Sequence, residues 1–150
     1  MSEICFVDTN VLVYARDSSE VEKQPLAHEW MRELWARRCG RTGVQVLNEY
    51  FVTVTQKLDP GLPEESAWAD IEDLFVWEPV AVDPNLLSQA RPLADRFGLA
   101  WWDALIVAAA QAGDCRYLLT EDLQDGQDLN GIEVVSPFKH RPDEILDSSR

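Results

Sequence analysis

Residues 4–10 read ICFVDTN, a run of four apolar residues that ends abruptly at three polar ones. Consecutive apolar side chains suit a strand of a parallel sheet that is buried on both faces. Further strand-like segments occur at residues 117–120 and 133–135, and helix-like segments fill most of the chain between them. This alternation predicts an α/β fold with a central, mostly parallel sheet flanked by helices on both faces.

The helices are predicted from apolar residues that recur at intervals of three and four. Residues 45–58 are rich in β-branched side chains, but the spacing of Leu47, Tyr50 and Val54 favours a helix there. The other predicted helices run from Pro25 to Cys39, from Pro63 to Phe75, from Asp83 to Phe97 and from Asp103 to Ala112. Short strands are also expected over residues 77–82 and near Val44.

The length and composition of the chain are those of a single domain. Its 150 residues are 46% apolar, and no apolar stretch approaches the length of a membrane-spanning helix. We expect one domain over residues 1–137 and a polar, partly mobile tail over residues 138–150. Because the amino terminus lacks a secretory signal and the three cysteines form no closely spaced pair, we expect a cytoplasmic protein with reduced thiols and no membrane association.

The formal net charge of −14 bears on the partners of the protein. Surfaces that bind nucleic acid by charge alone are usually basic, so this balance argues against simple electrostatic binding and suits a basic protein partner. Seven of the thirteen Lys and Arg residues nevertheless lie before residue 58. Metal ions in an acidic pocket would also attract phosphate.

Four acidic residues are placed where they can meet at one edge of the predicted sheet. Asp8 and Asp122 each follow a predicted strand, and Asp103 starts a predicted helix. Glu49 lies in the early turns of another helix. Parallel sheets have their sites beyond the carboxyl ends of the strands. Carboxylates gathered there repel one another unless a divalent cation lies between them, so the pattern predicts a Mg²⁺ or Mn²⁺ site.

Each of these acids also has an ordinary structural explanation. Asp8 and Asp103 suit turn or helix-capping positions, since their side chains can accept backbone hydrogen bonds there. Asp122 suits a loop, and Glu49 suits a solvated helix face. A shared metal site, in contrast, explains all four acids together.

Two further groups of residues adjoin the acids. Thr9, Asn10 and Thr120 would donate hydrogen bonds around the metal ligands, although Thr9 and Asn10 suit the turn after the first strand equally well. Trp101 and Trp102 precede the third acid in the chain. We expect them to seal the core beside a buried helix, with stacking of an unpaired base as the alternative.

Four segments together resemble the motifs of PIN-domain ribonucleases, and in particular of VapC-type toxins. They are FVDTNVLV at residues 6–13, VLNEY at residues 46–50, WDALIVAAA at residues 102–110 and YLLTEDL at residues 117–123. Each motif is weak alone, whereas four in the same order and at the usual spacing are specific.

The resemblance implies a Mg²⁺- or Mn²⁺-dependent endoribonuclease that is inhibited by a cognate VapB-type antitoxin and usually forms homodimers. It assigns metal binding to Asp8, Glu49, Asp103 and Asp122. The fourth acid is the most variable in this family, and Glu121 and Asp125 are neighbours that could share or replace the role of Asp122.

Three other functions are open alternatives. A PIN-like domain could bind RNA or a protein partner without cleavage, although intact acids at all four motif positions speak against it. A phosphoaspartate phosphatase of the haloacid dehalogenase type needs a second Asp two residues after the first, where this chain has Asn10. A receiver-type signalling domain needs an acidic pair after its first strand, and that pair is missing.

Overall fold

A five-stranded sheet forms the centre of the computed structural model, which describes residues 3–147. The strands are β1 (Cys5–Val7), β2 (Gly40–Arg41), β3 (Tyr117–Leu119), β4 (Asp128–Leu129) and β5 (Ile132–Val135). Their spatial order is β2-β1-β3-β5-β4, and only β4 runs antiparallel to its neighbour. The predicted α/β fold with a mostly parallel sheet is therefore confirmed.

Seven α-helices accompany this sheet within residues 3–147. They are α1 (Thr9–Arg16), α2 (Lys23–Arg37), α3 (Val44–Val52), α4 (Glu64–Leu74), α5 (Pro84–Phe97), α6 (Trp101–Ala112) and α7 (Pro142–Leu146). In the chain, α6 leads into β3, and it packs against both β3 and β5, while α1 packs between α2 and α3. In this part of the chain, no helix combines the length and the apolar character needed to cross a bilayer.

Three local predictions differ from the structure. The predicted strand over residues 77–82 is absent: Phe75–Trp77 is a 3₁₀ turn that continues α4, and Glu78 then adopts a left-handed backbone conformation. Within this segment, Val80 forms an isolated parallel β-bridge with Gly43, which lies two residues after β2. The short strand expected near Val44 lies earlier in the chain, as β2 at Gly40–Arg41. Val44 itself is the first residue of α3. Helix α1 was not predicted at all.

The predicted helix over residues 45–58 exists in two parts. Helix α3 is followed directly by a π-helical segment, Thr53–Lys57. Thr55 donates a hydrogen bond from its hydroxyl to the carbonyl oxygen of Phe51, at 2.7 Å, where the helix widens. The periodicity therefore predicts a helix here correctly, and the β-branched residues Thr53, Val54 and Thr55 lie in the widened turn.

The chain after β5 is anchored to the domain by Trp30. The indole Nε1 of Trp30 donates to the carbonyl oxygens of Pro137 and His140, at 3.1 and 2.9 Å. Leu146 in α7 is 2% exposed. Part of the expected tail is thus packed, whereas residues 148–150, like residues 1–2, lie outside the described residues. The predicted domain boundary at residue 137 stays a prediction.

Candidate active site

Asp8 lies at the carboxyl end of β1, where its side chain caps α1. Its Oδ1 accepts the backbone N–H of Thr9 at 2.7 Å, and its Oδ2 accepts the hydroxyl of Thr120 at 2.9 Å. Only 7% of Asp8 is exposed. Desolvation raises its pKa to about 6, opposed by these two hydrogen bonds and reinforced by the negative charges of Asp122 and Glu49. The groups that act on its pKa include no Lys, Arg or His side chain of residues 3–147.

Asn10, in the first turn of α1, connects the carboxyl ends of β1 and β3. Its Nδ2 lies 3.0 Å from Thr120 Oγ1, 3.1 Å from Asp122 Oδ2 and 3.5 Å from Asp8 Oδ2. Its Oδ1 accepts the backbone N–H of Glu121 at 3.3 Å. One amide therefore brings Asp8 and Asp122 together, as their positions after two neighbouring parallel strands predict.

Glu49 reaches the same edge of the sheet from α3. Its Oε2 accepts the hydroxyl of Thr9 at 3.1 Å, and its Oε1 accepts the side-chain amide of Gln45 at the same distance. Thr9 thus links Asp8, through its backbone, to Glu49, through its side chain. Thr9 therefore does more than form the turn after β1, because it also holds the side chain of Glu49.

Asp103 is the third residue of its helix, whereas the sequence predicts that it is the first. Helix α6 starts at Trp101, and Ala100 is its N-cap residue. Asp103 nevertheless remains in the first turn, where the helix dipole favours a negative charge. Desolvation is the largest cause of its raised pKa, and the negative charges of Asp122 and Glu49 add to it.

Trp101 and Trp102 are exposed rather than sealed in the core. Trp101 is 39% and Trp102 65% exposed, so the expectation that they cover the core is wrong. The buried part of α6 begins with Ala104 and is continuous to Ala110. The two indoles are the first two residues of the helix and directly precede Asp103 in the chain.

Glu121 and Asp125, the two possible replacements for Asp122, have other partners. Glu121 accepts hydrogen bonds from Lys23 Nζ, at 2.9 Å, and from the Tyr14 hydroxyl. These partners lie far away in the sequence, and no motif signals the contacts. Asp122 is the acid of this loop whose carboxylate accepts a hydrogen bond from the side-chain amide of Asn10.

Asp125 forms a second pair, with His140. Its Oδ2 lies 2.8 Å from His140 Nε2, and its Oδ1 accepts the N–H of Ser136 at 2.8 Å. Desolvation alone would raise the pKa of Asp125, but these hydrogen bonds hold it below its ordinary value. The sequence pattern indicates no role for His140.

The donor set of the site fits a hard divalent cation. Carboxylate oxygens are the ligands that Mg²⁺ and Mn²⁺ prefer, and the acids otherwise repel one another. No three His, Cys, Asp or Glu side chains in residues 3–147 lie close enough together to hold one ion jointly. Mg²⁺ commonly binds through one or two carboxylates and retains several waters. The arrangement therefore suits an ion with few protein ligands and a partial water shell.

Comparisons with known proteins agree with this architecture. The family model described as "PIN domain" matches residues 5–125. A search of curated proteins gave no match.

Several solved structures are similar in fold. The chain is 18% identical to a structure of FitAB bound to an IR36 DNA fragment, with a TM-score of 0.64 over 90% of this chain and 96% of that chain. A toxin–antitoxin complex from Klebsiella pneumoniae is also 18% identical, with a TM-score of 0.61 over 89% and 97%. Mycobacterium tuberculosis VapC20, described as a Sarcin-Ricin loop cleaving toxin, is 21% identical, with a TM-score of 0.58 over 76% and 86%.

Proposed function

This protein belongs to the PIN-domain family, and from that membership we propose that it is a metal-dependent endoribonuclease. The observation that carries the proposal is the shared amide of Asn10, which holds Asp8 and Asp122 at one edge of the sheet. Glu49 is held at the same edge by the hydroxyl of Thr9, and the charges of Asp122 and Glu49 raise the pKa of Asp103. The description of VapC20 as a Sarcin-Ricin loop cleaving toxin supports a cleavage activity and an RNA substrate.

The proposed roles follow from burial and hydrogen bonding. Asp8 and Asp103 would be the primary ligands of Mg²⁺ or Mn²⁺, while Glu49 and Asp122 would bind it through water or hold a second ion. A bound divalent cation supplies charge neutralisation at the phosphate and lowers the pKa of a water nucleophile.

The surrounding side chains would orient the acids and the attacking water. Thr120 and Asn10 orient the Asp8 carboxylate by hydrogen bonds to its Oδ2. Thr9 holds Glu49 in the same way. Glu49 or Asp122 would then accept a proton from the water that attacks phosphorus.

We further propose that the protein is the toxin of a toxin–antitoxin pair, acts in the cytoplasm, and forms a homodimer. The description of the similar Klebsiella pneumoniae structure as a toxin–antitoxin complex supports a protein antitoxin as partner. The net charge of −14 suits a basic partner segment.

The nuclease proposal is tested with purified protein and structured RNA. We expect cleavage with Mg²⁺ or Mn²⁺, and loss of cleavage in excess chelator and in Asp103→Asn. Asp95→Asn, a change on the exposed face of α5, serves as the matched control and should retain full activity. Equal cleavage by Asp103→Asn, or by the wild type in chelator, would contradict the mechanism.

A second candidate is an RNA- or partner-binding domain that does not cleave. The exposed indoles of Trp101 and Trp102 would suit such binding of an unpaired base. The same assay separates the two functions, because a binding domain would shift RNA in a gel without producing fragments at any Mn²⁺ concentration.

A further inference from the structure

A cluster of charged and aromatic side chains holds Glu121 beside the candidate active site. Lys23 Nζ donates to Glu121 Oε2 at 2.9 Å and lies 3.3 Å from the hydroxyl of Tyr14, which itself donates to Glu121 Oε1. Lys23 Nζ also lies 4.8 Å from the centre of the Tyr14 ring and 5.3 Å from that of Phe138. We call Lys23, Tyr14 and Glu121 the Lys23 clamp.

The Lys23 clamp is connected to the acids by one backbone contact. The N–H of Glu121 donates to Asn10 Oδ1 at 3.3 Å, and the Nδ2 of the same Asn10 donates to Asp122 Oδ2 at 3.1 Å. The side chain of Glu121 is therefore held on Lys23 while its backbone helps to orient the amide that positions Asp122.

We propose that Lys23 is a positioning residue for Asp122. By holding the carboxylate of Glu121, it keeps the loop after β3 in the conformation in which Asp122, and not Glu121, faces the cation-binding acids. This inference rests on the proposed function, because it concerns the geometry of the same metal site. It also explains why two adjacent acids in the loop have different roles.

The sign of the effect on metal affinity separates positioning from simple electrostatics. Lys23 carries a positive charge near a site for a cation, so removal of that charge alone would strengthen Mn²⁺ binding. Loss of the clamp would instead release Glu121 and disturb the Asn10 amide. Hydrogen-bonding partners that orient metal ligands typically contribute about 10- to 100-fold to metal affinity. Weaker binding after removal of Lys23 is thus specific to positioning.

The test is a titration of the 150-residue protein with Mn²⁺ alone. Binding is measured by calorimetry or from the EPR signal of free Mn²⁺. We expect Lys23→Met to weaken Mn²⁺ binding about tenfold and Lys23→Arg to restore most of the affinity. Arg32→Met is the matched control, since it removes a charge from an exposed position of the same helix. It should leave the affinity unchanged or slightly higher.

Two further variants complete the test. Tyr14→Phe keeps the ring beside Lys23 but removes the hydroxyl that donates to Glu121, so it should weaken Mn²⁺ binding in the same direction and less strongly. If circular dichroism shows that Lys23→Met is unfolded, the Mn²⁺ affinity of Tyr14→Phe tests the positioning role instead. In Lys23→Met/Glu121→Gln, the second change should add little to the first, because both break one interaction.

The outcomes distinguish this inference from the nuclease proposal. Unchanged or tighter Mn²⁺ binding by folded Lys23→Met, with metal-dependent cleavage by the wild type, overturns the positioning role and leaves the nuclease intact. A wild type that binds no Mn²⁺ overturns both. In RNA cleavage by Lys23→Met, we expect a higher Mn²⁺ concentration for half-maximal activity, with the rate at saturating Mn²⁺ near that of the wild type.

Discussion

Asn10 Nδ2 lies 3.1 Å from Asp122 Oδ2, which joins the first turn of α1 to the loop after β3 across a sequence separation of 112 residues. The same nitrogen contacts Thr120 and Asp8. Two carboxylates of like charge are thereby kept near each other by a neutral donor, which fixes their geometry without neutralising their charge. A cation can then bind to acids that are already oriented.

Replacement of Asn10 tests this role directly. Asn10→Ala removes the shared donor, so we expect metal affinity and RNA cleavage to fall by about 10- to 100-fold while the protein remains folded. The measurement is cleavage as a function of Mn²⁺ concentration. Asn48→Ala, at an exposed position of α3, is the control and should behave as the wild type. A wild-type Mn²⁺ dependence in Asn10→Ala would show that the amide does not position the acids.

The raised pKa of Asp8 predicts a dependence of stability on pH. Because the folded state binds this proton more tightly than the unfolded state, the free energy of unfolding in metal-free buffer should fall as the pH rises from about 4 to about 6, and be constant with respect to Asp8 above that range. A rise in pKa from 3.8 to about 6 corresponds to at most roughly 3 kcal/mol.

Asp8→Asn should therefore stabilise the metal-free protein at pH 8 and change its stability little at pH 3.5. Urea unfolding of both proteins at the two pH values measures the difference. The same carboxylate must be ionised to bind a cation, so Mn²⁺ affinity of the wild type should rise with pH up to about 6. An equal effect of Asp8→Asn at both pH values would contradict the assignment.

The exposed indole of Trp102 predicts a contribution to RNA binding. Stacking of an unpaired base on an aromatic face contributes about 1–3 kcal/mol, so Trp102→Ala should raise KM about fivefold or more with little change in kcat. Trp68, which is 49% exposed, provides the control substitution to Ala. If Trp68→Ala and Trp102→Ala have the same effect on KM, Trp102 has no particular role in binding RNA.

Gly40 in β2 predicts a stability effect outside the site. A Cβ atom at this position would lie 2.4 Å from the ring of Trp77, which is itself 3% exposed. Gly40→Ala should therefore destabilise the protein by about 1–3 kcal/mol through overpacking. Gly113→Ala, whose Cβ would meet neighbours at 3.4 Å and beyond, is the matched control. Thermal unfolding of the two variants measures the contrast, and equal melting temperatures would contradict the packing argument.

The features that sequence predicted are those with local causes. Helix α5 begins and ends as its sequence indicates: Asp83 accepts the N–H of Leu86 at 2.9 Å, and Gly98 ends the helix in a left-handed conformation. Asp8 and Asp122 lie together because each follows one of two adjacent parallel strands. In each case the apolar strand and the acid that follows it are close together in the sequence, so their positions can be predicted from one short segment.

The features that sequence did not predict depend on tertiary packing. Lys23 and Glu121 are 98 positions apart, and only the docking of α2 against the loop after β3 brings them together. The pairing of His140 with Asp125 likewise requires the chain after β5 to fold back. Trp102 was assigned to the core from its apolar neighbours, whereas its position at the open end of α6 decides its exposure.

Asp8 follows β1 immediately, and β1 is paired on both sides, by β2 and β3. Loosening this end of the sheet would break the interior pairing of the domain, so the acid cannot be displaced without most of the free energy of unfolding. An inhibitor of the proposed nuclease is therefore expected to silence it by covering or entering the site, not by displacing Asp8. Recovery of activity after such silencing would follow the rate of dissociation, not the rate of refolding.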